Sequence, residues 1–413
     1  MVTTQCRCCE NKDLKSVINL GMSPLANNLV GSETEKVDFY PLEVLFCQRC
    51  TYCQLSHTVE PEKLFDTYLY TSSTTKSFQN HFKLAAEKYI NRFNLKETSL
   101  VVDIGCNDGI ALIPFKDRGI RTFGIDPAAN IVEITKSKGL DVLQGYFNLD
   151  TAEKVLKQTG HADIVTASNV FAHSANIEEI AKGAFKILKN DGTFIVEVQY
   201  LYDTLNDLTF DNIYHEHVSY WSVLSLCNFF EKLGLYVVDV EHIDTHGGSI
   251  RVYVQRDSSN VSKTVQDYKD KETKAGLQSY ETYRQFGQKI NNIKQNVLYN
   301  INQLKKQGCK IAGYGAPAKA TTCLNYYGIN KSHIDYVVED NGLKHGKYIP
   351  GTQIPILSKE HIKLDKPDIL IVLAWNFFND IQRNNPEFKT MNIKLTSIKQ
   401  LGHSPEEFEI YLL

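Results

Sequence analysis

The 413-residue sequence has no dominant charge sign, no long apolar run and no basic leader. Its 48 acids and 45 Lys and Arg are interspersed and leave a net charge of −3. No long-range field is therefore available to wrap a nucleic-acid polymer or to settle on anionic lipid, and neither partner is expected. The most apolar stretch, Ile369 to Trp375, is far too short to span a bilayer. The start, Met1-Val-Thr-Thr-Gln-Cys6, carries no basic region followed by an apolar segment, so a cytoplasmic chain, taken to be a monomer, is the expectation. Cysteine is sparse beyond residue 53: six of the ten lie at or before that point. In a reducing compartment such crowding favours metal ligation over disulfides.

The length exceeds what one hydrophobic core organises, and composition shifts suggest three units. Residues 1–75 have cysteines near both ends, turn-like segments between them and no long amphipathic helix. From residue 76 to 257 the pattern is α/β. A helix is expected over Thr75 to Asn94, then strands at Ser99 to Ile104, Thr122 to Ile125, Ile164 to Ala167 and Thr193 to Val198, separated by helical periodicity. That alternation is the mark of a parallel, doubly wound, Rossmann-like sheet. Residues 258–413 begin with a proline-free charged stretch up to Gly308 that predicts one or two helices. The alternation then restarts at Lys310 to Gly313, Ile334 to Val338 and Ile369 to Ala374, a second and smaller Rossmann-like unit.

Cys6-Arg-Cys-Cys9 and Cys47-Gln-Arg-Cys50 each set two thiols three positions apart. This is the spacing with which a tight turn aims two sulfurs at one tetrahedral ion. Cys6, Cys9, Cys47 and Cys50 are thus the expected ligands of a structural zinc, with Cys8 and Cys53 left over. With all four positions filled by protein, such a metal folds the domain and performs no chemistry.

Val101-Val-Asp-Ile-Gly-Cys-Asn-Asp-Gly109 is an apolar strand that runs into a polar glycine turn. Asp126 ends the next strand, about 20 residues beyond, where an acid accepts both hydroxyls of an adenosine ribose. The turn Gly105-Cys-Asn-Asp-Gly109 is shorter and more polar than Gly-x-Gly-x-x-Gly, and suits an amino-acid moiety better than a pyrophosphate. The expected cofactor contacts are Asp103, Gly105, Asn107, Gly109, Asp126 and Asn169. Asp211-Asn-Ile-Tyr214-His215-Glu216-His217-Val-Ser-Tyr220 gathers titratable and aromatic groups shortly after the fourth strand, where open α/β sheets place their sites. Its two histidines are adjacent but one, so they do not share a helical face, and a zincin-type metal site is not expected. His173 follows the third strand and points to the same crevice.

Taken together, the paired cysteines, Tyr68-Leu-Tyr70-Thr-Ser-Ser73, the Asp-Ile-Gly-Cys-Asn-Asp-Gly turn, Asn169-Val-Phe-Ala-His173, Tyr214-His-Glu-His217 and Gly247-Gly-Ser-Ile-Arg251 make the whole chain resemble the C-methyltransferases of nucleotide-linked 4-keto-deoxysugars. The tail segment Gly313-Tyr-Gly-Ala-Pro-Ala-Lys319, with Asp340, Lys344 and Trp375-Asn376, is similar to that family's C-terminal domain. Cys53 departs from the family pattern, at a position where an apolar residue is expected. The resemblance implies S-adenosylmethionine as methyl donor and a nucleotide sugar, thymidine- or guanosine-linked, methylated at C-3 through an enolate. His217 is the expected base, its tautomer biased by Glu216. Tyr214, His173 and either Tyr68 or Tyr70 are expected donors to the enolate oxygen, and Arg251, Tyr314 and Lys319 are expected substrate contacts. Two other readings compete: a small-molecule O- or N-methyltransferase, and a zinc-bearing regulatory protein that binds the cofactor without turnover.

Overall fold

The computed structural model describes residues 1–66, 71–74, 76–245 and 247–412. Its strands form three sheets, which match the three units of the sequence with one exchange. The first sheet consists of β1 (Leu14–Pro24), β2 (Phe39–Cys47), β3 (Tyr52–Leu55) and a distant fourth strand. The second takes β4 (Leu100–Ile104), β5 (Arg121–Asp126), β6 (Val142–Gln144), β7 (Ala162–Ser168) and β8 (Leu188–Gln199). The distant strand of the first sheet is β9 (Ser219–Tyr220). β3 is buried at all four residues, and an exposed edge there would strand its backbone polar groups, so β9 pairs with it through Cys53 and Tyr220 and through Gln54 and Ser219. The first unit is therefore completed by residues far beyond position 75.

The hairpin β10 (Tyr236–Ile243) and β11 (Ser249–Gln255) finishes the second sheet. Its order is β10-β11-β8-β7-β4-β5-β6, and β11 runs antiparallel to both its neighbours while the others are parallel. The strand order reverses between β4 and β7, so a ligand crevice opens outside their carboxyl ends. The third sheet holds β12 (Ile311–Tyr314), β13 (Val337–Val338), β14 (Tyr348–Ile349), β15 (Ile354–Leu357), β16 (Ile369–Val372) and β17 (Lys394–Ser397). Its order, β14-β15-β13-β12-β16-β17, puts a second reversal between β12 and β16. The strand expected over Ile334 to Val338 is confined to its last two residues.

The charged stretch after residue 260 forms two helices, Lys263–Lys274 and Tyr280–Lys306. The second, about 40 Å long at 1.5 Å per residue, packs on both the first sheet and the tail. Gly287 permits this contact, because a Cβ there would stand 2.5 Å from the Val17 carbonyl oxygen. Beside it the buried Tyr283 ring stacks on Phe46 with centroids 4.1 Å apart.

At one end of the first sheet the sulfurs of Cys6, Cys9, Cys47 and Cys50 all lie within 4.8 Å of one another. The Cys6–Cys50 and Cys9–Cys47 separations are 3.5 and 3.6 Å. A tetrahedron with zinc–sulfur bonds of about 2.3 Å has edges of about 3.8 Å, so the four thiols fit the ion closely. Hydrogen bonding with Cys47 drives the Cys6 and Cys50 thiols up, while hydrogen bonds from Cys50 and Cys6 drive Cys47 down. Four thiolates at this spacing need a cation. Cys53 belongs to another core, among Phe46, Tyr220 and Tyr283. Cys50→Ala is expected to drop the zinc content from about one per chain to near zero and to lower the unfolding temperature, whereas Cys53→Ala retains the metal. Atomic emission on desalted protein and a thermal melt check both.

Candidate active site

The crevice between β4 and β7 is lined by the glycine turn. Gly105 has a φ of +67°, and a Cβ there would stand 2.4 Å from Val170 Cγ2, so only glycine keeps the turn against the β7 loop. Asn107 (φ +46°) and Asn169 (φ +57°) hold the left-handed region on the two walls. The Asn107 amide donates to Asp126 Oδ2 at 2.9 Å, and the Ala128 amide to Oδ1 at 3.0 Å. Asp103 accepts from Thr166 Oγ1 at 2.6 Å. Asp103 and Asp126 are 3% and 6% exposed, and neither has an ion-pair partner among the described residues. Burial pushes the Asp103 carboxyl up to about 7, and the charge of Asp126 adds to the rise. Two buried acids around a turn bounded by glycines suit a ligand that brings hydroxyls and positive charge, and would repel a pyrophosphate. S-adenosylmethionine carries an amine and a sulfonium, and fits this donor set.

Asn107 and Asp108 also tie down the chain that precedes the helix Lys76–Phe93. Asn107 Oδ1 accepts the Ser72 amide at 2.9 Å, and Asp108 accepts the Ser73 hydroxyl and, at 2.9 Å, the Lys138 ammonium. Tyr68 and Tyr70 lie outside the described residues.

The segment from Asp211 to Tyr220 sits across the crevice from the turn's far wall. His217 Nδ1 is 2.6 Å from the Asn212 carbonyl oxygen. A carbonyl only accepts, so Nδ1 carries the proton and Nε2 the lone pair. The Tyr214 and His173 rings lie over the imidazole, with centroids 4.0 and 5.1 Å away, and His173 stacks in turn on Phe65. Tyr214, His173 and His217 are thus brought together. Glu216 is not the partner that fixes the imidazole: its Oε1 accepts from Asn27 Nδ2 at 2.6 Å, in the first unit. Alternate residues of an extended segment face opposite ways, and the carbonyl of Asn212 does the work expected of Glu216. His215 is buried against the first sheet, donates to the Pro41 carbonyl at 3.3 Å, and is pushed down to about 4 by burial.

The expected substrate contacts separate. Arg251 is 3% exposed, and its Nε and terminal nitrogen both meet Glu197 Oε2, at 3.1 and 2.7 Å. Glu197 also meets His81 Nε2 at 2.9 Å. Arg251 therefore forms a buried pair with Glu197, and its other terminal nitrogen lies 3.6 Å from Glu241 Oε2. Tyr314 gives its hydroxyl to Asp340. In the glycine loop after β12, the amides of Gly313 and Gly315 donate to Tyr336 and Val338 carbonyls, and that of Ala316 to Glu339. Three amides of this loop are thus taken by the neighbouring strand and by Glu339. Lys319 differs: its Nζ is buried with no hydrogen-bond partner among the described residues, 5.1 Å from the Trp375 ring centroid. Lys399 lies 4.1 Å from that ring. Trp375 Nε1 donates to Asp211 Oδ2 at 2.5 Å. None of Asn27, His81 or the Asn212 carbonyl was singled out from sequence for the site, and Trp375 was named only within the tail-domain motif; the polarity around them was the one signal.

Comparison with known proteins gives this geometry a context. Residues 6–65 match a zinc binding domain, 78–240 a methyltransferase domain, and 244–397 a C-methyltransferase C-terminal domain. The chain is 35% identical over 388 residues to the C-methyltransferase NovU of Streptomyces niveus, a match that covers 93% of this chain and 92% of NovU. It is 32% identical over 101 residues to the mitochondrial ubiquinone biosynthesis O-methyltransferase of Bos taurus, covering 23% of this chain and 27% of that enzyme. A crystal structure of a SAM-dependent methyltransferase from Archaeoglobus fulgidus superposes with a TM-score of 0.35 at 19% identity, over 43% of this chain and 93% of that one. With three domain matches in sequence and a full-length relative, the chain belongs to the C-methyltransferases, enzymes that draw their methyl group from S-adenosylmethionine and carry a zinc-binding first domain.

Proposed function

We propose that this enzyme methylates C-3 of a nucleotide-diphospho-4-keto-6-deoxysugar, thymidine- or guanosine-linked, by way of an enolate. The observation that carries the reading is the hydrogen bond from His217 Nδ1 to the Asn212 carbonyl, which puts the ring's lone pair on Nε2. A ketone at C-4 acidifies the C-3 hydrogen. His217 Nε2 takes that proton, and the C–H electron pair passes into the C-3–C-4–O enolate. Tyr214 and His173, beside the imidazole, are the donors for the developing oxyanion, each worth about 2–4 kcal/mol. Tyr68 or Tyr70 is a further donor on the family pattern. S-adenosylmethionine supplies, when bound, an electrophilic methyl group. Asp103, Gly105, Asn107, Gly109, Asp126 and Asn169 hold it, with Asp126 serving the ribose hydroxyls. The buried, unpaired Lys319 ammonium supports an anion at the tail crevice, where the sugar's diphosphate would lie.

The test is a turnover screen with thymidine- and guanosine-diphospho-4-keto-6-deoxysugars, deuterated at C-3, and a labelled methyl donor. Loss of the deuterium with a new carbon–carbon bond at C-3, located by NMR, is expected. A methyl group on oxygen or nitrogen, or no product with any such sugar, overturns the reading. His217→Asn is expected to lower kcat by a factor of about 10²–10⁴ without weakening cofactor binding, as followed by titration calorimetry.

Cofactor affinity should also depend on pH. A cationic ligand beside Asp103 favours its carboxylate, so binding expels the proton that the free carboxyl retains below about pH 7. Affinity is expected to strengthen from about pH 6 to about pH 8 and then level, by at most tenfold per pH unit. Calorimetry in two buffers of different ionisation enthalpy reads the released proton, and Asp103→Asn removes the dependence.

A further inference from the structure

The imidazole of His217 meets the Asn212 carbonyl through Nδ1, and that carbonyl belongs to a short turn. Phe210–Asn212 is a single 3-10 turn closed by the Ile213 amide on the Phe210 carbonyl at 2.9 Å, with the Asn212 amide on the Thr209 carbonyl at 3.1 Å and the Asn212 side chain between Thr209 Oγ1 and Gln199 Nε2. Such short turns have poor hydrogen-bond geometry of their own. The tail domain grips both residues that flank Asn212. On one side Trp375, just after β16, donates its indole N–H to Asp211 Oδ2 at 2.5 Å. On the other, Thr322 on the helix Ala318–Tyr327 donates its hydroxyl to the Ile213 carbonyl at 3.2 Å. Phe210 is wedged edge-on against Tyr326 and Tyr327 of the same helix, with centroids 5.3 and 5.5 Å away. Asp211 and Thr322 are 3% and 2% exposed, so water cannot replace either bond.

We propose that Trp375 and Thr322 are positioning residues for the catalytic histidine. From the tail domain they hold the 210–213 turn so that the Asn212 carbonyl meets His217 Nδ1, and so keep the lone pair on Nε2. The tail that faces the nucleotide end of the substrate thereby also sets the tautomer of the base. The inference rests on the reading of His217 as base, and its test separates the two.

The test uses the full-length, zinc-loaded enzyme with ¹⁵N-labelled histidine. The His217 ring signals are identified by their disappearance in His217→Gln. Trp375→Phe keeps the ring and removes the donor, and Thr322→Val keeps the shape and removes the hydroxyl. The double variant Trp375→Phe/Thr322→Val is expected to move His217 from a single Nδ1–H form to a mixture with Nε2–H. It is expected to lower kcat by about ten- to a hundredfold while the KM for the methyl donor stays put. Should His217 remain wholly Nδ1–H in the double variant, the proposal is overturned, whatever happens to kcat. If the tautomer shifts and kcat does not fall, the positioning stands and the assignment of His217 as base fails. Where the double variant does not fold, judged by its circular dichroism, each single variant carries the same two readouts.

Discussion

Residues 210–220 are almost entirely buried yet own little regular structure, so their polar groups must find partners elsewhere, and that requirement binds the three sheets into one enzyme. The tail domain takes Asp211 and the Ile213 carbonyl through Trp375 and Thr322. The first unit takes Glu216 through Asn27, and Leu55 donates to the Val218 carbonyl at 2.9 Å. The second sheet takes the Val218 and Ser219 amides, both of which donate to the Ala172 carbonyl, next to His173. A segment held this way is stiff without being helix or strand. Its histidine sits where three cores meet.

The charges around that junction are sorted by crevice. At the second sheet, Asp103 and Asp126 crowd a turn with no balancing cation among the described residues. At the third, Lys319 is buried without a hydrogen-bond partner, and the loop that precedes it has given its amides to β13 and Glu339. Unpaired buried charge is costly, and it persists where a ligand of opposite sign completes it. The two Rossmann-like sheets share the order of their five parallel strands, and what differs at each reversal point is the sign of the buried charge.

Much of this was legible in the sequence because it depends on local pattern. The cysteine pairs fix the metal cluster by spacing alone, and apolar runs, two of them ending in glycine turns, placed β4, β5, β7, β12 and β16 to within two residues and β8 by its second half. What escaped depends on partners remote in sequence. The β10–β11 hairpin was not foreseen, although Tyr236–Ile243 and Ser249–Gln255 are rich in β-branched residues, because parallel alternation does not announce a closing antiparallel pair. β9 is two residues long and exists only because β3 would otherwise be a buried bare edge. Arg251 read as either a phosphate contact or a buried pair, because sequence does not show that Glu197 lies 2.7 Å from it. Glu216 read as the partner of His217 because adjacency in sequence stood in for adjacency in space, and extended backbone turns neighbours apart.

The zinc site, closed by four sulfurs and remote from the crevice, still reaches the chemistry through the first sheet. Cys47 ends β2, Cys50 lies in the turn that leads to β3, and β3 pairs with β9 two residues beyond His217. Asn228 and Lys232, on the helix Val223–Lys232, donate to the Cys50 and Cys8 carbonyls, so the metal knuckle also anchors the chain that leaves the catalytic segment. A two-residue strand cannot hold register by itself; it inherits its position from β3, whose turn the metal closes. A metal without an open coordination position is therefore no bystander here. It sets the position of β3 and so of β9, while the tail domain's bonds to Asp211 and Ile213 set the other end of the same segment.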